Sequence, residues 1–288
     1  MLINALGFVR IKLILAQFHM ASDTLRGLER GLQVLDALSI SSGMTLRELH
    51  CNTNLPKPTL LRILATLEVR GYVRRRIADG VWRRSARRSE TGSLQGLLLD
   101  VGSSVLDDLC QRLRWPSDLA VYDDGSMMII ETTRKKTPYI INWTGVGYRI
   151  PMLQTGLGRA WLSYCSDEER ETILSDLRIS SSPFDRAANN LQLIDQLITE
   201  TRAQGYGTRV QGFTLRKIGE EKTDGFAVPV IARDRIVGCM NVTWLVSALD
   251  LQTAVSRYFC DVQAAAAKIG SEIDTKLSLN AARASGLQ

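Results

Sequence analysis

Residues Thr45–Arg76, TLRELHCNTNLPKPTLLRILATLEVRGYVRRR, decide the fold. The stretch opens on Thr45-Leu46-Arg47-Glu48, the pattern of a capping box, in which a hydroxyl at the helix start is answered by a carboxylate three residues on. A short helix follows, with Leu46 and Leu49 turned inward. It stops near Asn52-Thr53-Asn54, whose side chains compete with the helical backbone. Pro56 suits the first position of a second helix, where no amide proton is needed. There Leu60, Ile63, Leu64 and Leu67 recur at three and four residues and form one buried stripe, leaving Lys57, Pro58, Leu61 and Arg62 on the outward face. Gly71 closes that helix. Asp79-Gly80 is a tight-turn signal between Val73-Arg74-Arg75-Arg76 and Trp82-Arg83-Arg84, giving a two-stranded wing studded with arginine. Helix, turn, helix and basic hairpin together read as a winged helix-turn-helix. Paired amphipathic helices also occur in proteins that never meet DNA. The arginines tip the reading, because a wing sits where it meets the phosphates beside a groove-bound helix.

The charge distribution agrees. Residues 1–90 carry 15 Lys and Arg against 7 Asp and Glu, whereas the remainder carries 21 against 23. The positive excess therefore lies in the segment holding the helix pair and wing, as an electrostatic footprint for DNA joined to a near-neutral sensing domain would require. The five cysteines, Cys51, Cys110, Cys165, Cys239 and Cys260, are odd in number and contain no C-x-x-C, so neither a disulfide framework nor a zinc site is indicated and a reducing cytoplasm fits. The only histidines are His19 and His50, which leaves the C-terminal part without an imidazole for a Ser-His-Asp or Cys-His mechanism. No enzyme, cofactor or metal is expected. The opening MLINALGFVRIKLILAQFHM is apolar, but Arg10 and Lys12 interrupt it and no small-residue cleavage site follows, so neither a signal peptide nor a membrane anchor is expected. It reads as an N-terminal extension, residues 1–23, with Met20 as the natural start. An intact mass including residues 1–19 would refute that.

Leu28, Leu32, Leu35 and Leu38 mark a helix over Leu25–Ser39 that supports the helix pair, within a DNA-binding domain of residues 24–88. Residues 89–104 follow as a linker helix, in which Leu94, Leu97 and Leu98 start a helix that continues into Leu106 and Leu109, then 105–276 as a mixed α/β domain and 277–288 as a tail. In the α/β domain, Asp118–Tyr122 and Met127–Thr132 read as strands around a hairpin turn, and Tyr139–Trp143 as another strand. Trp161–Leu177 and Leu191–Gln204 have helical spacing, Phe226–Ile231 and Ile236–Leu245 are adjacent strands, and a final amphipathic helix runs from Leu251 to Ile273. Strand pairs flanked by helices, without βαβ alternation, imply an antiparallel sheet with helices against it, hence an α+β chain. Gly145-Val146-Gly147 and Gly156-Leu157-Gly158 begin like dinucleotide fingerprints but lack the third glycine and the strand-helix unit. Thr155-Gly156-Leu157-Gly158 reads better as a loop opening the Trp161 helix, with free amides that accept a carboxylate.

The segments RGLERGLQVLDAL, TLRELHCNTNLPKPTLLRILATLEVRGYVRR, DLAVYDDGSMMIIETT, GYRIPMLQTGLGRAWL and FAVPVIARDRIVGCMNV resemble, in order and spacing, the isocitrate-lyase-regulator (IclR) family of bacterial transcription factors, over about residues 24–275. The WPSDLAVYD, TRAQGYG and IVGCMNV segments resemble its activators of hydroxyphenylpropionate catabolism. The resemblance implies a GAF-like effector domain and a recognition helix that presents Lys57, Pro58, Thr59, Leu61 and Arg62 to the major groove. Arg62 is suited to guanine, while Leu61 is either a thymine-methyl contact or a core residue. Pro58 departs from the family's usual Ser or Thr and removes a phosphate-binding hydroxyl and amide. Arg74, Arg75, Arg83 and Arg84 would supply phosphate contacts. The resemblance also places the effector pocket at Thr155, Gly156, Leu157 and Gly158, with the family's Cys or Ser falling at Gly225 and its two serines at Asn241 and Thr243. Trp143 and Trp161 are either aromatic walls or core. Loss of a side chain at Gly225 would enlarge the pocket, favouring an aromatic acid over a two- or three-carbon acid. The segment Gly212–Asp224 is about four residues longer than in such relatives. The implied protein is a homodimer or tetramer on a pseudo-palindromic double-stranded operator, engaging RNA polymerase as an activator and not entering a membrane. The rivals are a repressor with a ligand-insensitive dimerisation domain and an enzyme with a DNA-binding appendage.

Overall fold

A computed structural model describes residues 25–39, 43–77, 80–84, 94–139, 145–213 and 222–284. The extension and its start, the body of the Tyr139–Trp143 strand, most of the linker ahead of residue 94 and much of the Gly212–Asp224 segment lie outside the described residues. The chain divides into two compact units, a smaller one through Val73 that includes Trp82–Arg84, and a larger one from Ser85 onward together with Arg74–Val81.

The smaller unit holds α1 (Arg26–Ser39), α2 (Leu46–Thr53) and α3 (Lys57–Val69), and the hairpin strands are β1 (Val73–Arg75) and β2 (Trp82–Arg84). The capping box at α2 is complete, because the Thr45 hydroxyl accepts from the Glu48 amide and the Glu48 carboxylate accepts from the Thr45 amide. Asn54, at φ 55°, ends α2 in the left-handed conformation that Asn tolerates. Pro56 stands one place earlier than expected, as the residue preceding α3. Leu49, Leu60, Leu64, Val73 and Trp82 close a small core with Val34 and Leu38. Here the expectation for α1 is corrected. Its inward residues are Val34 and Leu38, with Leu35 partly so, while Leu28 and Leu32 remain 60% and 52% exposed. The helix carries two apolar stripes, and periodicity alone does not say which one faces the core.

The larger unit is built on an antiparallel sheet of order β5-β4-β3-β8-β7-β6, comprising β3 (Asp118–Asp123), β4 (Ser126–Thr132), β5 (Arg149–Pro151), β6 (Gly207–Thr208), β7 (Thr223–Ala232) and β8 (Arg235–Leu245). Alternation along the strands sends successive residues to opposite faces of the sheet. Leu119, Phe226, Val228, Met240 and Val242 pack against α4 (Leu94–Leu113) and α8 (Leu251–Ala284), whereas Ala120, Ala227 and Cys239 face α5 (Gly156–Tyr164) and α6 (Asp167–Ile179). α7 (Leu191–Gln204) has the expected bounds, capped by Asn190 at its start and by Gly205, at φ 84°, at its end.

Three boundaries differ from expectation. α4 continues through Leu106 and Leu109 as its spacing predicts, but its inner face is buried from Leu97 onward, so the division at 104/105 falls inside a helix already in the core. α8 continues past 276 to Ala284 because Leu277 still packs against that core. The single helix expected over Trp161–Leu177 is two, broken at Cys165-Ser166. Ser166 caps α6 by accepting from the Glu169 amide, a Ser-x-x-Glu signal legible in the sequence.

Candidate nucleic-acid interface and ligand site

At the start of α3, burial of Leu60 and Leu64 fixes the helix's rotation, and the opposite side shows Lys57, Pro58 and Arg62 exposed and Thr59 half-buried. Leu61 is 49% exposed, so of its two readings the structure favours the surface. The hairpin is anchored by mutual backbone bonds between Met44 and Trp82, both 2.7 Å. Val73 and Trp82 point into the core, Arg74 and Arg83 are half-buried, and Arg75 and Arg84 are exposed. Two guanidiniums are braced locally, with Arg75 Nε donating to the Gly80 carbonyl at 3.3 Å and Arg84 Nη1 to the Ser39 hydroxyl at 2.8 Å. Exposed bonds of this kind contribute little and leave the charge available to a phosphate.

In the larger unit the expected effector residues gather at one end of the sheet. Thr155 caps α5, its hydroxyl accepting from the Gly158 amide, and Gly156, Leu157 and Gly158 are buried in the first turn of that helix. Gly156 and Gly207 touch backbone to backbone: a Cβ on Gly156 would lie 2.5 Å from the Gly207 carbonyl oxygen, and one on Gly207 2.3 Å from that of Gly156. These glycines therefore serve close helix–strand packing. Across the strands, Gly225 pairs with Thr243 and Ala227 with Asn241. A Cβ on Gly225 would sit 2.6 Å from the Val242 carbonyl oxygen, so glycine is required by strand approach. Its lack of a side chain does not by itself enlarge a pocket, and that part of the argument for an aromatic ligand falls. Trp161 is buried, its indole N–H donates to Glu169 at 3.0 Å and its ring stacks on Tyr122, all of which fit core packing. Trp143 lies outside the described residues.

Two residues missed in the sequence dominate this end. Asp118 is buried and pairs with Arg134 through two guanidinium bonds, at 3.0 and 2.6 Å, and also accepts from Thr132 and from the Asn241 amide. Burial alone would raise the Asp118 carboxyl, but the charge and hydrogen bonds of Arg134, with those of Thr132 and Asn241, outweigh it and hold the group below its ordinary range. Asn241 Oδ1 in turn accepts from the Asp118 amide, so both ends of its side chain are already occupied, and Arg134 reaches the Thr243 hydroxyl at 3.4 Å. No sequence motif links positions 118, 134 and 241, because strand register brings them together. Among the described residues no group of His, Cys, Asp and Glu is placed to hold a metal ion, and no described helix is long and apolar enough to cross a membrane.

Residues 27–76 match the IclR helix-turn-helix domain and residues 97–271 the bacterial transcriptional regulator IclR C-terminal domain. The chain is 29% identical to the acetate operon repressor of Salmonella typhimurium over 63% of this chain and 68% of that one. It is 24% identical to the HTH-type transcriptional regulator XynR of Escherichia coli over 78% and 88%. Its fold matches that of a transcriptional regulator from Rhodococcus sp. RHA1, with a TM-score of 0.51, 21% identity and coverage of 88% and 99%. Both domains, in this order, make the chain a member of the IclR family of bacterial transcriptional regulators.

Proposed function

We propose that this ligand-responsive regulator activates an aromatic-acid catabolic operon. It binds a pseudo-palindromic operator as a homodimer, or as a tetramer on DNA, through Lys57, Thr59, Leu61, Arg62 and the wing arginines, and engages RNA polymerase from there. The observation that carries the ligand part is the gathering of Thr155, Arg134, Asn241, Thr243 and Arg209 at the α5 end of the sheet. The aromatic class and the activating sign rest on the resemblance of the quoted segments to hydroxyphenylpropionate activators. Dimerisation is supported by the second apolar stripe of α1, where Leu28 and Leu32 are exposed in a groove of about 540 Å³ completed by Ile63, Leu67 and Tyr72. The mechanism is a population shift, in which the ligand favours one arrangement of sensing domains and so the spacing of the DNA-binding units. A second reading, repression, is favoured by the likeness to the acetate operon repressor. Fluorescence anisotropy on the upstream region of the neighbouring operon, at two salt concentrations and with a panel of aromatic acids, tests the reading. Salt-sensitive binding altered by one acid is expected, and binding indifferent to every acid would overturn it. Transcription from that promoter in vitro, raised or lowered by the protein, decides the sign.

A further inference from the structure

Arg209 follows directly on β6. Because β6 pairs Gly207 with Ala227 and Thr208 with Phe226, the same register carries Arg209 alongside Gly225, and Gly225 faces Thr243 on β8. A line across the sheet therefore runs from Arg209 over a residue without a side chain to Thr243, whose hydroxyl is held by Arg134. Two guanidiniums flank this strip. The position of Arg209 is tied down from behind, since the Val210 amide donates to the Gln154 carbonyl, next to the Thr155 cap.

Two guanidiniums, Arg134 and Arg209, and two carboxylates, Asp118 and Asp224, act on one another here, but among the described residues only Arg134 and Asp118 form a direct ion pair. The buried carboxylate of Asp118 is taken up by Arg134, Thr132 and Asn241. Arg209 is half-buried and donates through Nη1 to the Thr223 carbonyl at 2.7 Å and its hydroxyl at 3.4 Å. It makes no ion pair among the described residues. Asp224 is within electrostatic reach, but its Oδ1 accepts from the Gly225 amide at 2.7 Å. Burial, against the attraction of Asp224 and Asp118 and with the repulsion of Arg134, holds the Arg209 guanidinium below its ordinary value. A guanidinium withdrawn from water normally has a carboxylate or phosphate opposite its fork of donors.

We propose that Arg209 is the anchor of the ligand's acid group, whose planar carboxylate lies on the guanidinium fork over the strip between Arg209 and Thr243. The inference rests on this end of the sheet being the effector site and adds a specificity-determining residue. The ligand must be an organic anion, and the neutral amide of the same skeleton must not replace it, because an amide nitrogen presents donors to donors.

Calorimetric titration of the full-length protein with 4-hydroxybenzoate, 3-(3-hydroxyphenyl)propionate, pyruvate and 4-hydroxybenzamide tests this, with thermal unfolding of the unliganded protein alongside. An acid is expected to bind and the amide not. Arg209→Gln is expected to weaken acid binding at least about 30-fold, and Arg209→Lys, which keeps the charge without paired donors, about tenfold. Unliganded Arg209→Gln is expected to melt no lower than the parent, since a half-buried charge is removed and no direct ion pair is lost. Acid affinity kept in Arg209→Gln overturns the anchor and leaves the proposed function standing. A melting temperature lowered by several degrees with affinity unchanged makes Arg209 a structural brace and overturns it likewise. If no acid binds the parent, the anchor and the ligand-responsive reading fall together.

Discussion

Replacing Asp118 by Asn keeps the shape of the side chain and removes the charge that neutralises Arg134. The two side chains are 2% and 8% exposed, so water screens neither. Loss of one partner strands the other as a buried charge, which costs about 3–5 kcal/mol. That is a large part of the roughly 5–15 kcal/mol by which a domain is stable. Urea unfolding followed by tryptophan fluorescence reads the larger unit, whose Trp115 and Trp244 are buried. Asp118→Asn is expected to lower its midpoint by about 1–2 M. The double variant Asp118→Leu/Arg134→Met removes both charges and is expected to recover most of the loss. The pH dependence follows from the depressed Asp118 carboxyl. Its contribution is fully present above the unfolded value of about 3.9 and is lost as pH falls through the lower folded value. The parent should therefore lose this stability in acid while Asp118→Asn, already without it, should not. A single variant within about 1 kcal/mol of the parent, or a double variant worse than either single one, would refute the reasoning.

Gly225→Ser places a Cβ 2.6 Å from the Val242 carbonyl oxygen and is expected to cost about 1–3 kcal/mol, read as a lowered melting temperature. An unchanged melt would mean that the strands part without cost. On DNA, Arg62→Ala should weaken operator binding and relax preference at one base pair. Arg83→Ala should weaken all sequences alike and reduce the log–log salt slope by about one, both measured by anisotropy. Leu32, 52% exposed in one chain, is expected on substitution by Asp to shift sedimentation toward monomer with helical circular dichroism unchanged. In contrast Leu64→Ala should destabilise the helix unit by about 2–5 kcal/mol in denaturant titration.

What was legible in the chain is what is decided within a few residues. The Thr45-x-x-Glu48 box and the Leu60/Leu64 stripe act over one or two turns of chain, and each appears where its pattern places it. The Asn190 and Gly205 caps of α7 likewise act within a turn of chain. The outward face of α3 follows from the same stripe, because burying Leu60 leaves Lys57, Pro58 and Arg62 nowhere to go but out. The Ser166 cap was equally local, and the break between α5 and α6 could have been read from it.

The rest depended on which distant surfaces meet. α1 offers two apolar stripes, and only packing against α2 and α3 selected Val34 and Leu38 for the core, leaving Leu28 and Leu32 outside. Gly225 looked like a missing pocket wall until the register set Val242 behind it. The Asp118–Arg134–Asn241 network spans 123 positions of sequence, and Arg209 joins it only because β6 lies at the far edge of the same sheet. Periodicity and caps are properties of a segment and survive in the sequence. Register and burial are properties of pairs of segments, whose free energy exists only once the sheet has closed.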